Sequence, residues 1–204
     1  MLERFRQFWT NLVSPIARLL LRMGVTPNAV TLFGTVGVSA GALAFFPRGE
    51  LLIGVLVVTA FVFSDLIDGH MARSSGQTSV WGSFLDSTLD RVGDAAIFGG
   101  LTLWFAWGGD DAVLACVALW CLVMGALTSY VRAKAESLGM QAKGGIAERS
   151  DRLVTILAMT GLSDIFDLPV LLAIALWALA AASAVTVVQR MLMVRRQALA
   201  TQED

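Results

Sequence analysis

Four aspartates set the chemistry open to this chain. They fall in Ser64-Asp65-Leu66-Ile67-Asp68-Gly69-His70-Met71-Ala72-Arg73 and in Gly82-Ser83-Phe84-Leu85-Asp86-Ser87-Thr88-Leu89-Asp90-Arg91. Asp65 and Asp68 are three apart and Asp86 and Asp90 four apart, so on helices each pair shares a face. The intervening stretch, 74–81, is short enough to make the two helices antiparallel neighbours, with the pairs facing one another. Ionised carboxylates crowded at low dielectric cost several kcal/mol each, on the order of what burial of a charge costs after relaxation. Either some stay protonated or divalent cations neutralise them. All-oxygen ligands suit a hard ion, Mg²⁺ first, with Mn²⁺ or Ca²⁺ as alternatives. Two such ions about 4 Å apart clamp a phosphoryl group and activate an oxygen nucleophile. Salt bridges to Arg73 and Arg91 are the plainer account, and they explain one aspartate better than four.

The surroundings of these aspartates are apolar. Of 204 residues, 56% are hydrophobic and only 15% charged, with a mean hydropathy of +0.72. A soluble domain carries more charge. Six apolar runs, near 28–46, 51–71, 85–107, 112–133, 152–167 and 169–193, predict an all-α integral membrane protein with six transmembrane helices, since a hydrocarbon core needs about 20 helical residues. The fifth run is short. Residues 2–22 repeat Phe5, Phe8, Trp9, Leu12, Ile16, Leu19 and Leu20 at helical spacing among arginines, which predicts an amphipathic interfacial helix on the membrane or an ordinary helix packed on the protein. Arginines interrupt this stretch, so it does not resemble a signal peptide. No linker or repeat divides the sequence, so residues 1–204 are expected to form one membrane domain.

With six spans, loops 1, 3 and 5 hold a single basic residue, Arg48, beside Glu50, Asp110, Asp111, Asp164 and Asp167, and the opposite side holds the rest of the 15 Lys and Arg. That side is therefore cytoplasmic, as are both termini and the aspartates, in a multi-pass protein of the cell (inner) membrane. Trp104 and Trp107 fall where the outer aromatic belt belongs. Cys116 and Cys121 are expected to be reduced core residues. No nucleic-acid partner is expected.

From Asp65 to Asp90 the sequence reads D-x-x-D-G-x-x-A-R-x8-G-x-x-x-D-x-x-x-D. This resembles the signature of the CDP-alcohol phosphatidyltransferase family, with all eight fixed positions present over 26 residues, and the six-span layout is similar to the family fold. The resemblance implies a CDP-linked lipid donor, usually CDP-diacylglycerol, and two metal ions held by Asp65, Asp68, Asp86 and Asp90. It makes Asp90 the base that takes the acceptor's proton, and it places Gly69, Ala72, Arg73 and Gly82 around the nucleotide. CMP leaves, and members are commonly homodimers. Taken alone, Gly69, Ala72 and Gly82 equally allow close helix packing. Asn28 and Thr31 open the first span, where capping by Thr26 or Asn28 is the simplest role; the resemblance adds a nucleotide contact.

The acceptor is read from charge. Arg132, Arg152 and Arg190 lie at cytoplasmic helix ends and are expected to converge above the metal site, which points to an anionic acceptor such as a polyol phosphate. Arg195 and Arg196 fit anionic headgroups. The layout from Ser129-Tyr130 through Glu136, then Glu148-Arg149 with Arg152, then Gln189-Arg190 is similar to that of the actinobacterial branch of the family that makes phosphatidylinositol phosphate from inositol 1-phosphate. There the positions of Ser129, Arg132, Lys134, Arg152 and Arg190 bind the acceptor phosphate. The closest alternative is transfer to glycerol 3-phosphate, giving phosphatidylglycerophosphate. A cation transporter fits poorly, because the carboxylates cluster at one membrane face. His70 reads as an interfacial residue rather than a ligand. Asp94 reads as a partner of Arg91 or of a neighbouring helix.

Overall fold

The computed structural model describes residues 14–76 and 79–200, and the side chains of all of them but Asp65 and Leu66. Among these residues all regular structure is helical: α1 Pro27–Phe45, a 3-10 turn Phe46–Arg48, α2 Leu51–Val62, α3 Ser64–Ser75, α4 Val80–Trp107, α5 Ala112–Ser137, α6 Arg149–Ile165 and α7 Pro169–Ala200. Residues 14–22 are also helical; the part of the expected interfacial helix at 2–13 lies outside the described residues.

Among the described residues four stretches are long and apolar enough to cross a membrane: Pro27–Arg48, Leu51–Ser75, Ala112–Ser137 and Pro169–Ala200. The other two expected spans form helices of different character. α4 has 28 residues, ample in length, but carries Asp86, Asp90, Arg91 and Asp94. α6 has 17 residues, about 26 Å at 1.5 Å per residue. The second apolar run forms two helices, turning at Phe63 without leaving right-handed helical dihedrals (φ −62°, ψ −15°). Its polar half, α3, carries Asp65 and Asp68.

The chain divides into two compact units, one holding the chain up to Ala42 with Leu56–Ile97, the other Leu43–Val55 and everything from Phe98 on. In the first unit, Thr26 caps α1 by accepting the Ala29 N–H at 3.3 Å, and Pro27 takes the first turn, where its missing N–H costs nothing. Gly34, Gly37 and Gly41 then form a stripe along α1. A methyl group on Gly34 would overlap the Ser64 hydroxyl, one on Gly37 the Phe61 ring, and one on Gly41 would lie 2.7 Å from Val57 Cγ1. Without side chains, the α1 backbone lies directly against α2 and the start of α3. The helical residues 14–22 pack on the same unit: Ala17 is buried with Val30 and Met71, flanked by Leu20, Leu21, Val25 and Ile67. Ile16 and Leu19 on the other face are exposed. Gly76, at φ +69°, closes α3 through its N–H to Ala72 O.

In the second unit α7 packs on both α5 and α6, over a core that includes Leu153, Ile156, Leu157, Leu172 and Leu176. Cys121 is buried there, its thiol 3.4 Å from Leu176 O. Cys116 is exposed rather than in the core, and neither forms a disulfide; five residues on a helix is about 140° of rotation, which parts the two. Two of the acidic residues away from the signature have structural work. Asp111 caps α5 by accepting the Leu114 N–H at 2.9 Å, and Asp164 accepts the Leu52 N–H at 3.0 Å.

Candidate active site

The glycine stripe of α1 brings Thr31 against α3. The Thr31 hydroxyl donates to Asp68 Oδ2 at 2.5 Å, with both residues buried, at 7% and 6% exposure. This is a tertiary bond between a nucleotide-site candidate and a metal-site candidate. Asn28, one turn earlier on α1, stands beside Gly82: a methyl group there would lie 3.3 Å from Asn28 Oδ1 and 3.2 Å from Ser79 Oγ. Capping by Thr26, one of the two expected caps, is what the structure shows, and Asn28 and Thr31 make the contacts just described.

Ser79 is a residue that the sequence reading passed over. Its hydroxyl accepts the Gly82 N–H at 2.9 Å and opens α4. A serine three residues before the first-turn glycine is the available signal. On α3, Arg73 folds back over Gly69, its Nη1 lying 3.3 Å from where a Cβ would stand. Ala72 is half-buried. Gly69 and Gly82 therefore leave polar groups, Arg73 and Asn28 with Ser79, in close reach of bare backbone.

Asp86 is exposed and Asp90 half-buried on successive turns of α4. Arg91 Nη2 lies 3.6 Å from Asp90 Oδ2 and its Nε 3.9 Å from Asp94 Oδ2, so the buried Asp94 pairs with Arg91, one of its two expected roles. His70 pairs with Ser14, Nε2 to Oγ at 3.1 Å. Among the described residues no three His, Cys, Asp or Glu side chains group tightly enough to hold an ion; the side chain of Asp65, the fourth of the set, lies outside them. The donor chemistry nonetheless fits a hard divalent ion. Every candidate ligand is a carboxylate, and Asp68 is already oriented by a hydroxyl.

The acceptor candidates occupy the second unit. Arg152 and Arg190 are buried there, at 2% and 4% exposure. Arg190 donates from Nε to Gly144 O at 2.9 Å and from Nη1 to Thr128 O at 2.7 Å. Arg152 donates from Nη1 to Ala147 O at 3.3 Å, and its guanidinium lies against Gly125, where a Cβ would be 3.1 Å from Nη2. Ser129 bonds back to Gly125 O at 3.3 Å. One turn of α5, Gly125 to Ser129, thus meets both arginines. Arg132 is exposed and paired with Glu136 at 2.9 Å. Lys134 is exposed and sits about 140° round the helix from Ser129, so the structure does not bring it to the others.

Comparison with known proteins follows the same lines. The family model described as CDP-alcohol phosphatidyltransferase matches residues 24–188. The phosphatidylinositol phosphate synthase of Cutibacterium acnes is 53% identical over 203 residues, covering 96% of this chain and 98% of the relative. That of Streptomyces avermitilis is 52% identical, covering 97% and 84%. The crystal structure of the Mycobacterium tuberculosis phosphatidylinositol phosphate synthase with CDP-DAG bound has a TM-score of 0.86 at 44% identity, covering 90% of this chain and 94% of that one. A second structure of that protein, in complex with manganese and citrate, has a TM-score of 0.85 at 44% identity, covering 89% and 88%.

Proposed function

The chain belongs to the CDP-alcohol phosphatidyltransferase family, and on that premise we propose that it transfers a phosphatidyl group from CDP-diacylglycerol to inositol 1-phosphate, giving phosphatidylinositol phosphate and CMP. Identity above half to phosphatidylinositol phosphate synthases along nearly the whole chain supports the acceptor as well as the donor. The observation that carries the reading is the Thr31–Asp68 bond, which ties two positions assigned to the donor site into one buried contact.

Asp65, Asp68, Asp86 and Asp90 hold two divalent ions, Mg²⁺ or Mn²⁺; manganese in the mycobacterial relative supports this. Ions held there would offset charge on the diphosphate and on departing CMP. Asn28, Thr31, Gly69, Ala72, Arg73 and Gly82 bind the nucleotide and diphosphate of the donor, with Arg73 matched to phosphate oxygens by its planar fork. Asp90 accepts the proton of the acceptor hydroxyl. The hydroxyl oxygen bonds to the phosphatidyl phosphorus, and the bond from that phosphorus to the CMP oxygen breaks. Ser129, Arg132, Arg152 and Arg190 bind the acceptor phosphate, and Lys134 adds positive charge from its own face of α5.

The family match over 24–188 draws on both compact units and supports one membrane domain across 1–204. We infer six crossings, with α4 and α6 completing the four apolar spans, both termini and the active site on the cytoplasmic side of the cell membrane, and a homodimeric assembly. The deciding experiment offers radiolabelled CDP-diacylglycerol to the purified enzyme with inositol 1-phosphate, glycerol 3-phosphate, inositol or serine. Product with inositol 1-phosphate alone is expected. Faster product with glycerol 3-phosphate would instead make the protein a phosphatidylglycerophosphate synthase.

A further inference from the structure

α7 is longer than a membrane requires. Its 32 residues extend about 48 Å, whereas a hydrocarbon core of about 30 Å needs about 20 residues. The surplus turns carry Gln197, which shares a helix face with Thr186 and Arg190, four and seven residues being close to whole turns. All three reach one segment, the irregular stretch between α5 and α6. Gln197 accepts the Gln141 N–H at 2.9 Å and returns its own amide N–H to Gln141 O at 2.6 Å. Arg190 donates to Gly144 O at 2.9 Å. Thr186 accepts the Ala147 N–H at 3.0 Å while donating to Ala182 O at 2.8 Å.

The segment is built to receive these bonds. Gly144 and Gly145 have φ of +93° and +133°, and a methyl group on Gly145 would overlap Thr186 Cγ2. Ala142 and Ala147 are buried. A loop of this length is ordinarily mobile; this one is pinned at its start, middle and end. Its carbonyls in turn hold Arg190 and Arg152, at Gly144 O and Ala147 O.

We propose that Gln197 and Thr186 are positioning residues for acceptor binding: they staple residues 141–147 to α7, so that the Gly144 and Ala147 carbonyls fix the planes of the Arg190 and Arg152 guanidiniums. Neither residue touches the acceptor. The proposal rests on the acceptor reading given above and adds to it the parts that hold its cations still.

The test uses the full-length enzyme in nanodiscs, with hydrogen exchange and kinetics measured on the same preparations. Gln197→Leu removes both bonds to Gln141 while keeping a good helix former. Losing two bonds, each worth around a factor of five in a local equilibrium, should raise exchange at 141–147 by about tenfold or more. The KM for inositol 1-phosphate should rise about fivefold, with kcat and the KM for CDP-diacylglycerol within about twofold of the parent. Thr186→Val should act in the same direction and Thr186→Ser, which keeps the hydroxyl, should not. Unchanged exchange in Gln197→Leu, or a loosened loop with an unchanged acceptor KM, overturns the proposal. So does a rise in exchange throughout α5–α7 with equal losses for both substrates, the mark of general destabilisation. Arg152→Ala is the control for the underlying reading: an unaltered acceptor KM there removes the acceptor assignment and this proposal together, whereas a raised one beside a silent Gln197→Leu removes this proposal alone.

Discussion

Replacing Thr31 with valine tests the donor site at its best-defined contact. Valine keeps the branched shape and the buried volume but has no hydroxyl. The Thr31 oxygen carries one proton and has two acceptors in range, Pro27 O at 3.1 Å and Asp68 Oδ2 at 2.5 Å. The shorter contact is to the carboxylate, which is also the stronger acceptor when ionised. A hydrogen bond to a charged group contributes about 1.5–3 kcal/mol, equivalent to roughly ten- to hundredfold in a binding constant. If that energy orients Asp68 for ion binding, Thr31→Val should weaken Mn²⁺ binding by about that factor, read by electron paramagnetic resonance titration without lipid substrate. Thr31→Ser, which retains the donor, should recover most of it. Activity at saturating metal should fall less than activity at limiting metal. Mn²⁺ affinity in Thr31→Val equal to that of the parent would refute the reasoning, and a loss confined to CMP binding would make Thr31 a nucleotide contact only.

Three further outcomes follow from the same geometry. With Asp90 as the proposed base, Asp90→Asn should abolish phosphatidyl transfer, measured with labelled CDP-diacylglycerol, while the protein still inserts and purifies normally, because an amide cannot take a proton from the acceptor hydroxyl. EDTA should stop turnover and added Mg²⁺ or Mn²⁺ restore it, with the carboxylate set giving no reason for recovery by a soft ion. Gly34→Ala should destabilise the protein by about 1–3 kcal/mol, the usual cost of overpacking, seen as a lowered thermal unfolding midpoint in detergent, because the new methyl group meets Ser64; substitution at Gly99, with nothing within 4 Å of its Cβ position, should leave the midpoint nearly unchanged.

The eight-position signature was legible because its spacing is local: three- and four-residue intervals fix helix faces without any tertiary knowledge. Helix positions were legible for a similar reason, apolar runs being long and continuous, yet their ends were not. α7 continues to Ala200 rather than 193, since a helix leaving the membrane meets no sequence signal until its pattern lapses. The break that divides the second run into two helices was not legible, because Phe63 departs little from helical dihedrals and no glycine or proline beside it announces a break. Thr31 and Asp68 are 37 residues apart, and only the glycine stripe, whose packing role is invisible until a partner helix is known, brings them together. Cys116 was misplaced because an apolar run in a membrane protein does not say which side faces lipid.

The basic residues show most clearly what charge alone leaves undecided. Arg152 and Arg190 stood out in the sequence as cations at helix ends, and phosphate binding was the natural chemistry for them. In the structure both guanidiniums are buried and bonded to backbone carbonyls, which could pass for a purely structural role. The two roles are compatible on a count of donors. A guanidinium has five N–H groups in a fixed plane, and Arg190 gives one from Nε and one from Nη1 to Gly144 and Thr128, leaving three. Two carbonyls on different segments determine the plane of the Arg190 fork, so the directions of its remaining donors are set before any ligand arrives. A lysine could supply the same charge but not that plane, since its ammonium rotates freely. The carbonyl bonds thus account for a buried arginine, rather than a lysine, at position 190, and under the acceptor binding proposed above they would lower the ordering cost of binding an anion.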